Sequence, residues 1–145
     1  MAKSSVWARK HARRALVQAV YQWQMTGSTS NDIVKQFLED GSLKKADVEF
    51  FQTSLKRVVK ENTVLDEHFA PLLDRKVTDL DKVELALLRL GTDELANRQE
   101  VPFKVVIDEY VGLAKTFGAE DSHKYINGVL DQLSRALRPL EVAAQ

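Results

Sequence analysis

The chain has no cysteine, which excludes disulfide frameworks and thiolate metal sites and gives no sign of an oxidising compartment. With 6 glycines and 3 prolines in 145 residues, it has few breakers to interrupt a helical pattern. No run alternates apolar and polar residues for long. No apolar stretch approaches the roughly 20 residues that a membrane span needs. No apolar segment follows Lys3 as in a signal peptide, so a cytoplasmic protein without membrane contact is expected. Acids are also missing where they would be informative: residues 1–31 contain none, and Asp32 is the first.

What is present suits one globular domain or two joined halves, since 44% of residues are apolar and 29% charged, a balance unlike that of disordered chains. The net charge is zero but unevenly spread. Lys3, Arg9, Lys10, Arg13 and Arg14 stand at the start, and the remaining 16 cations face all 21 acids. A basic arm on an acidic body points to a polyanion at one end, or to no more than a solvated helix terminus.

Apolar spacing predicts an all-α fold with six main helices. The first spans about Ser5–Met25. The second follows Ser28–Asn31, capped by Ser30 or Asn31, and runs to Glu39. The third is long, from about Ala46 to Pro71. The fourth is capped by Thr78 or Asp79 and carries Leu80, Val83, Ala86, Leu87 and Leu90. The fifth, opened by Pro102, stops at Gly118, and the sixth runs from Ala119 to Leu137. A frayed tail is expected beyond Pro139. The charged stretch Leu73–Asp79 divides the chain into an N-terminal bundle (1–75) and a C-terminal bundle (76–145), each of three helices.

Two helix faces stand out. In the first helix, Ala8, Ala12, Ala15, Leu16, Ala19, Val20 and Trp23 form a core stripe about 140° wide at 3.6 residues per turn. Lys10, Arg14, Val17 and Tyr21 share a different face, with Arg13 on its flank. Cations beside an aromatic suit single-stranded RNA, phosphates meeting the charges and a base stacking on the ring. Packing of Tyr21 against another helix is the alternative. Trp7 fits either stacking on RNA or covering the bundle end, and His11 reads as a surface histidine. In the fourth helix, Glu84, Leu88, Gly91 and Leu95 lie off the main stripe. They form either a second core contact or a docking surface for a protein.

The cluster Glu120–Lys124 invites a catalytic or metal reading and supports neither. Asp121 and His123 are two apart and do not share a helix face. Ser122 and His123 are adjacent, and no GxSxG, HExxH, phosphate-binding Gly loop or dinucleotide fingerprint occurs. No catalytic residue, metal, cofactor or small-molecule substrate is expected. Glu120 and Asp121 read as first-turn acids of the sixth helix, favoured by its dipole. Asp121, Tyr125 and Gly128 fall on one face beside the stripe Ile126, Val129, Leu130, Leu133 and Leu137. A glycine in mid-helix costs about 1 kcal/mol against alanine. A close approach by another backbone or a partner would explain it.

Five stretches together resemble the NusB family of bacterial transcription antitermination factors. They are ARKHARRALVQAVYQWQ, VVKENTVLDEHFAPLL, VELALLRLGTDEL, VPFKVVIDEYVGLAKTFG and GAEDSHKYINGVLD, covering nearly the whole chain. The resemblance implies two three-helix bundles and a non-enzyme. It implies pairing with the small-subunit ribosomal protein NusE, joint binding of single-stranded boxA RNA, and entry into the antitermination complex on RNA polymerase, notably on ribosomal RNA operons. NusB-like domains also occur fused to ribosomal RNA cytosine methyltransferases; at 145 residues, the free factor is expected. The implied RNA-binding residues are Arg9, Lys10, Arg13, Arg14, Tyr21, Asp121 and Tyr125, with Asp121 and Tyr125 bordering the RNA site near Tyr21. Glu84 is implied in NusE contact, and Leu88 and Gly91 share its face. Arg14 departs from the family, which usually has an acid there. The rival expectation is a small helical interaction adaptor that does not bind RNA.

Overall fold

The computed structural model describes residues 5–144; Lys3 of the basic arm lies outside the described residues. These residues form seven α-helices and no strand: α1 (Val6–Thr26), α2 (Ser30–Glu39), α3 (Val48–Phe69), α4 (Lys82–Asn97), α5 (Phe103–Phe117), α6 (Ser122–Leu137) and α7 (Pro139–Ala143). Among them no helix is long and apolar enough to cross a membrane. The chain divides into two compact units, one ending at Lys60 and the other beginning at Glu61. Glu61 is also where α3 departs from helical geometry (φ −103°, ψ 15°). This division lies upstream of the boundary expected at Leu73–Asp79. The last turns of α3 belong with the second unit, because Asp66 receives two hydrogen bonds from Arg89 of α4, at 2.9 and 2.7 Å.

In the first unit, Ser5 caps α1 by accepting from the Ala8 amide at 2.9 Å. Gly27, at φ 71°, ends the helix by donating its N–H to Trp23. Thr29 rather than Ser30 or Asn31 caps α2, since its hydroxyl reaches the Asp32 amide at 3.1 Å. Ile33, Val34 and Phe37 make the buried side of α2, and the Phe37 ring stacks on Phe51 of α3 at 5.5 Å. The turn into α3 passes through Gly41 at φ 81°, with Leu43 buried beneath it. Asp47 then caps α3, and its own N–H donates to the Ala8 carbonyl at 2.9 Å, tying the start of α3 to α1.

The second unit is built around α4, which packs against both α5 and α6. Every residue from Glu84 to Leu95 is buried. Its cap is Asp81, which accepts from the Glu84 amide at 2.7 Å. Thr78 and Asp79, the expected caps, lie instead in a 3₁₀ turn, Val77–Asp79. Asp121 occupies the N-cap position of α6, so Glu120 and Asp121 precede the first turn rather than forming it.

The tail expected to fray is helical. Arg138, 3% exposed, explains why. Its guanidinium donates to the carbonyls of Leu95, Val101, Glu94 and Arg98 at 2.7 to 3.2 Å, and to Glu141 at 2.6 Å. Glu141 in turn accepts from the Phe103 amide at 2.8 Å, supplying the cap that Pro102 cannot. One arginine thus gathers carbonyls from the end of α4 and the loop that follows it, and fixes the start of α5 through its partner.

Candidate nucleic-acid interface

The core stripe of α1 is wider than its apolar residues suggest. Ala12, Ala15, Leu16, Ala19 and Val20 are buried as expected, but so are Val17 and Arg13. What remains outside is an arc of Trp7, Lys10, His11, Arg14, Gln18, Tyr21 and Met25, all exposed. Trp7 is 71% exposed, and Tyr21, at 40%, is partly covered and partly open to solvent. For Trp7, of the two uses the sequence left open, covering the bundle end does not hold.

The cations of the basic arm separate into two kinds. Arg13 is 4% exposed, with its guanidinium 5.3 Å from the centre of the Phe50 ring. Arg9 is half-buried, lies 4.7 Å from the same ring and pairs with Asp47 at 3.7 Å. Both are anchors between α1 and α3, through cation–π contact with one phenylalanine. Arg13 is therefore placed between α1 and α3 rather than on the exposed arc. Lys10 and Arg14 stay on the exposed arc with Tyr21, one turn apart along it. Each pair is offset from the other by one residue, about 100° around the helix, and the deciding partner, Phe50, lies on another helix.

In the second unit, Asp121 is largely exposed and sits 3.5 Å from the Lys124 ammonium; it makes no side-chain cap on α6. Tyr125 is partly buried, and its surroundings were not foreseen. Its hydroxyl donates to Asp74 at 3.2 Å, and the Arg75 guanidinium lies 4.4 Å over its ring. Arg75 also grips Asp74 through two hydrogen bonds, at 2.6 and 3.2 Å. The Arg75 guanidinium holds the Asp74 carboxyl below the usual carboxylate range. Partial burial, and then the Asp74 charge, push the Tyr125 phenol up. Asp74 and Arg75 stand about 50 residues before Tyr125 in a stretch that read as a divider, and no spacing rule could have joined them.

The second face of α4 is a core contact. Leu88 is fully buried. Gly91 leaves room for Leu130 of α6, whose Cδ2 would lie 2.9 Å from an added Cβ. Glu84 is 8% exposed and accepts from the Ser122 hydroxyl at 2.9 Å, an interaction that ties α4 to the start of α6. A helix between two neighbours has no spare face, and Leu88 and Gly91 are both used in packing within this unit. Gly128, by contrast, faces open space, with nothing within 4 Å of where its Cβ would be. Among the described residues no backbone approaches it.

The chain matches the family model described as "NusB family" over residues 10–135. It is 50% identical, over 96% of its length and 86% of the relative's, to a transcription antitermination protein NusB of Hydrogenovibrio crunogenus. A second relative with that name, from Alcanivorax borkumensis, is 52% identical over 94% of this chain and 91% of its own. Among solved structures, a T. maritima NusB superposes with a TM-score of 0.77 at 27% identity, covering 88% of this chain and 90% of that one. A chain from a crystal structure of antitermination factors NusB and NusE in complex with double-stranded RNA superposes with a TM-score of 0.82 at 26% identity, covering 91% and 99%.

Proposed function

The chain belongs to the NusB family, and from that premise we propose that it is a transcription antitermination factor which binds RNA together with NusE. It acts in the cytoplasm as a binding protein rather than a catalyst. Its RNA is the single-stranded boxA of nascent transcripts, and the pair joins the antitermination complex on RNA polymerase, notably on ribosomal RNA operons. The observation that carries the reading is the exposed arc of α1, where Trp7 and Tyr21 stand among Lys10, Arg14 and His11. Rings that stack and cations that meet phosphates are what an unpaired strand requires. Arg9 and Arg13 contribute by holding that arc in place. The Ser122 hydroxyl is engaged by Glu84, which favours a structural over a nucleophilic role for the polar start of α6.

A few cations on one helix supply modest affinity for RNA. NusE adds surface and order, so the pair binds more tightly than either protein alone. Asp121 stands where an acid can accept hydrogen bonds from base amino groups or restrain affinity so that only the right sequence binds. If Asp121→Asn left affinity for boxA and scrambled RNA unchanged, both roles would be lost. The reading as a whole is tested by fluorescence anisotropy of labelled boxA RNA against a scrambled strand, with and without NusE, at two salt concentrations. Preference for boxA that strengthens with NusE and weakens with salt is expected. Equal, salt-insensitive binding to both strands would leave a helical interaction adaptor.

A further inference from the structure

A cavity of about 370 Å³ opens in the first unit between α1 and the turn joining α2 to α3. Arg14, His11 and Gln18 line it from α1; Ser42, Lys44 and Lys45 line it from the turn. Gly41, at φ 81°, makes the bend that brings the two lysines round to face the helix. None of the lining residues is acidic. The nearest acid in sequence, Asp40, is held by the turn itself, accepting from the Ser42 amide at 2.9 Å. Three basic side chains, an imidazole, a hydroxyl and an amide therefore line one concavity. A cleft lined by one sign of charge focuses its field and concentrates the opposite charge there. Lysine ammoniums meet anionic oxygens as compact charges, and arginine adds a planar fork suited to phosphate.

We propose that this pocket seats a phosphate of the RNA backbone, so that the RNA site extends from the α1 arc onto the α2–α3 turn. The inference rests on the RNA-binding reading above. Arg14 supplies the continuity, because it lines the pocket and also lies on the exposed arc with Lys10 and Tyr21. Tyr21 is seven residues further along, about 10 Å at 1.5 Å per residue. A strand stacked on Tyr21 can therefore pass its backbone over Arg14 into the pocket. Lys44 and Lys45 then act as phosphate contacts that fix register and carry no sequence information themselves.

The test uses the full chain with NusE and a single-stranded boxA RNA, titrated over a salt series. The Lys44→Gln/Lys45→Gln double variant is compared with wild type and with Lys56→Gln, an exposed lysine of α3 that does not line the pocket. Both lysines of the pair are exposed, so the thermal midpoint should not move. The double variant should bind about tenfold more weakly to boxA and to scrambled RNA alike. Its salt slope should fall by roughly 0.7 for each phosphate that the variant no longer neutralises, and Lys56→Gln should match wild type. Unchanged affinity and slope in the double variant, while wild type binds RNA, would overturn the pocket and leave the RNA reading standing. Failure of wild type to bind RNA even with NusE would remove both. Inorganic phosphate shifting the NMR signals of His11, with no loss of RNA affinity in the double variant, would mark an anion site unrelated to RNA and also overturn the inference.

Discussion

The outer arc of α1 and the second face of α4 look alike in sequence. Each sets charged residues beside large apolar or aromatic ones at spacings of three and four. In the structure one faces solvent and the other is sealed. The difference comes from what surrounds the helix. α1 has an arc that no described residue of its unit covers, whereas α4 is buried without interruption from Glu84 to Leu95. A helical wheel shows which residues share a face; it does not show how many neighbours the helix has.

The largest effects should lie on the sealed side. Arg138→Ala should lower unfolding free energy by about 3–5 kcal/mol, the scale for breaking a buried charged network, read by urea denaturation. A loss below about 1 kcal/mol, the size of an ordinary net hydrogen bond, would mean that water replaces the arginine at the end of α4. Leu88→Ala should cost about 2–5 kcal/mol through the cavity it leaves; a near-neutral result would return Leu88 to the surface and erase the contrast with α1.

Within α1 the comparison is between neighbouring cations. Arg13→Gln should lower stability by about 1–2 kcal/mol, the scale for a desolvated cation–π contact. Lys10→Gln should leave the melt unchanged and weaken RNA binding with a shallower salt dependence. If the two variants exchanged these signatures, the assignment of anchor and contact would be reversed.

A pH titration sharpens the sealed side further. The Phe103 amide and then Arg138 hold the Glu141 carboxyl below its usual value. A depressed carboxylate contributes stability above its unfolded pKa of about 4.3. That contribution is lost as pH falls through the lower folded value. Glu141→Gln should therefore flatten the loss of stability below about pH 4, followed by thermal melts across that range. The smallest effect is expected at Gly128, where alanine should stabilise by up to about 1 kcal/mol because nothing opposes its Cβ. A Gly128→Ala chain that gains stability but pairs less well with NusE would show that a partner uses the open backbone there.

Much of this was legible from residue types. The six main helices, the Gly27 stop and most of the core stripe of α1 follow from spacing and from glycine at a left-handed position; the short α7 does not. The cap positions shifted by one to three residues, because serine, threonine and aspartate crowd together and only backbone geometry selects Thr29 and Asp81. The roles of Arg13 and Arg138 were not legible. Their partners are a ring on another helix and four main-chain carbonyls some 40 residues away, and main-chain carbonyls leave no mark in a sequence. Tyr125 was singled out, but its contacts with Asp74 and Arg75 were hidden by the same distance.

The Arg138 arrangement sets how freely the C-terminal end can drift between relatives. Leu140, 87% exposed, is open to almost any replacement. Two residues before it, even lysine would fail, because a single ammonium cannot span acceptors that lie on both sides of a planar fork. Substitution tolerance in the last turn should therefore alternate sharply from one residue to the next, in a segment whose composition reads as expendable.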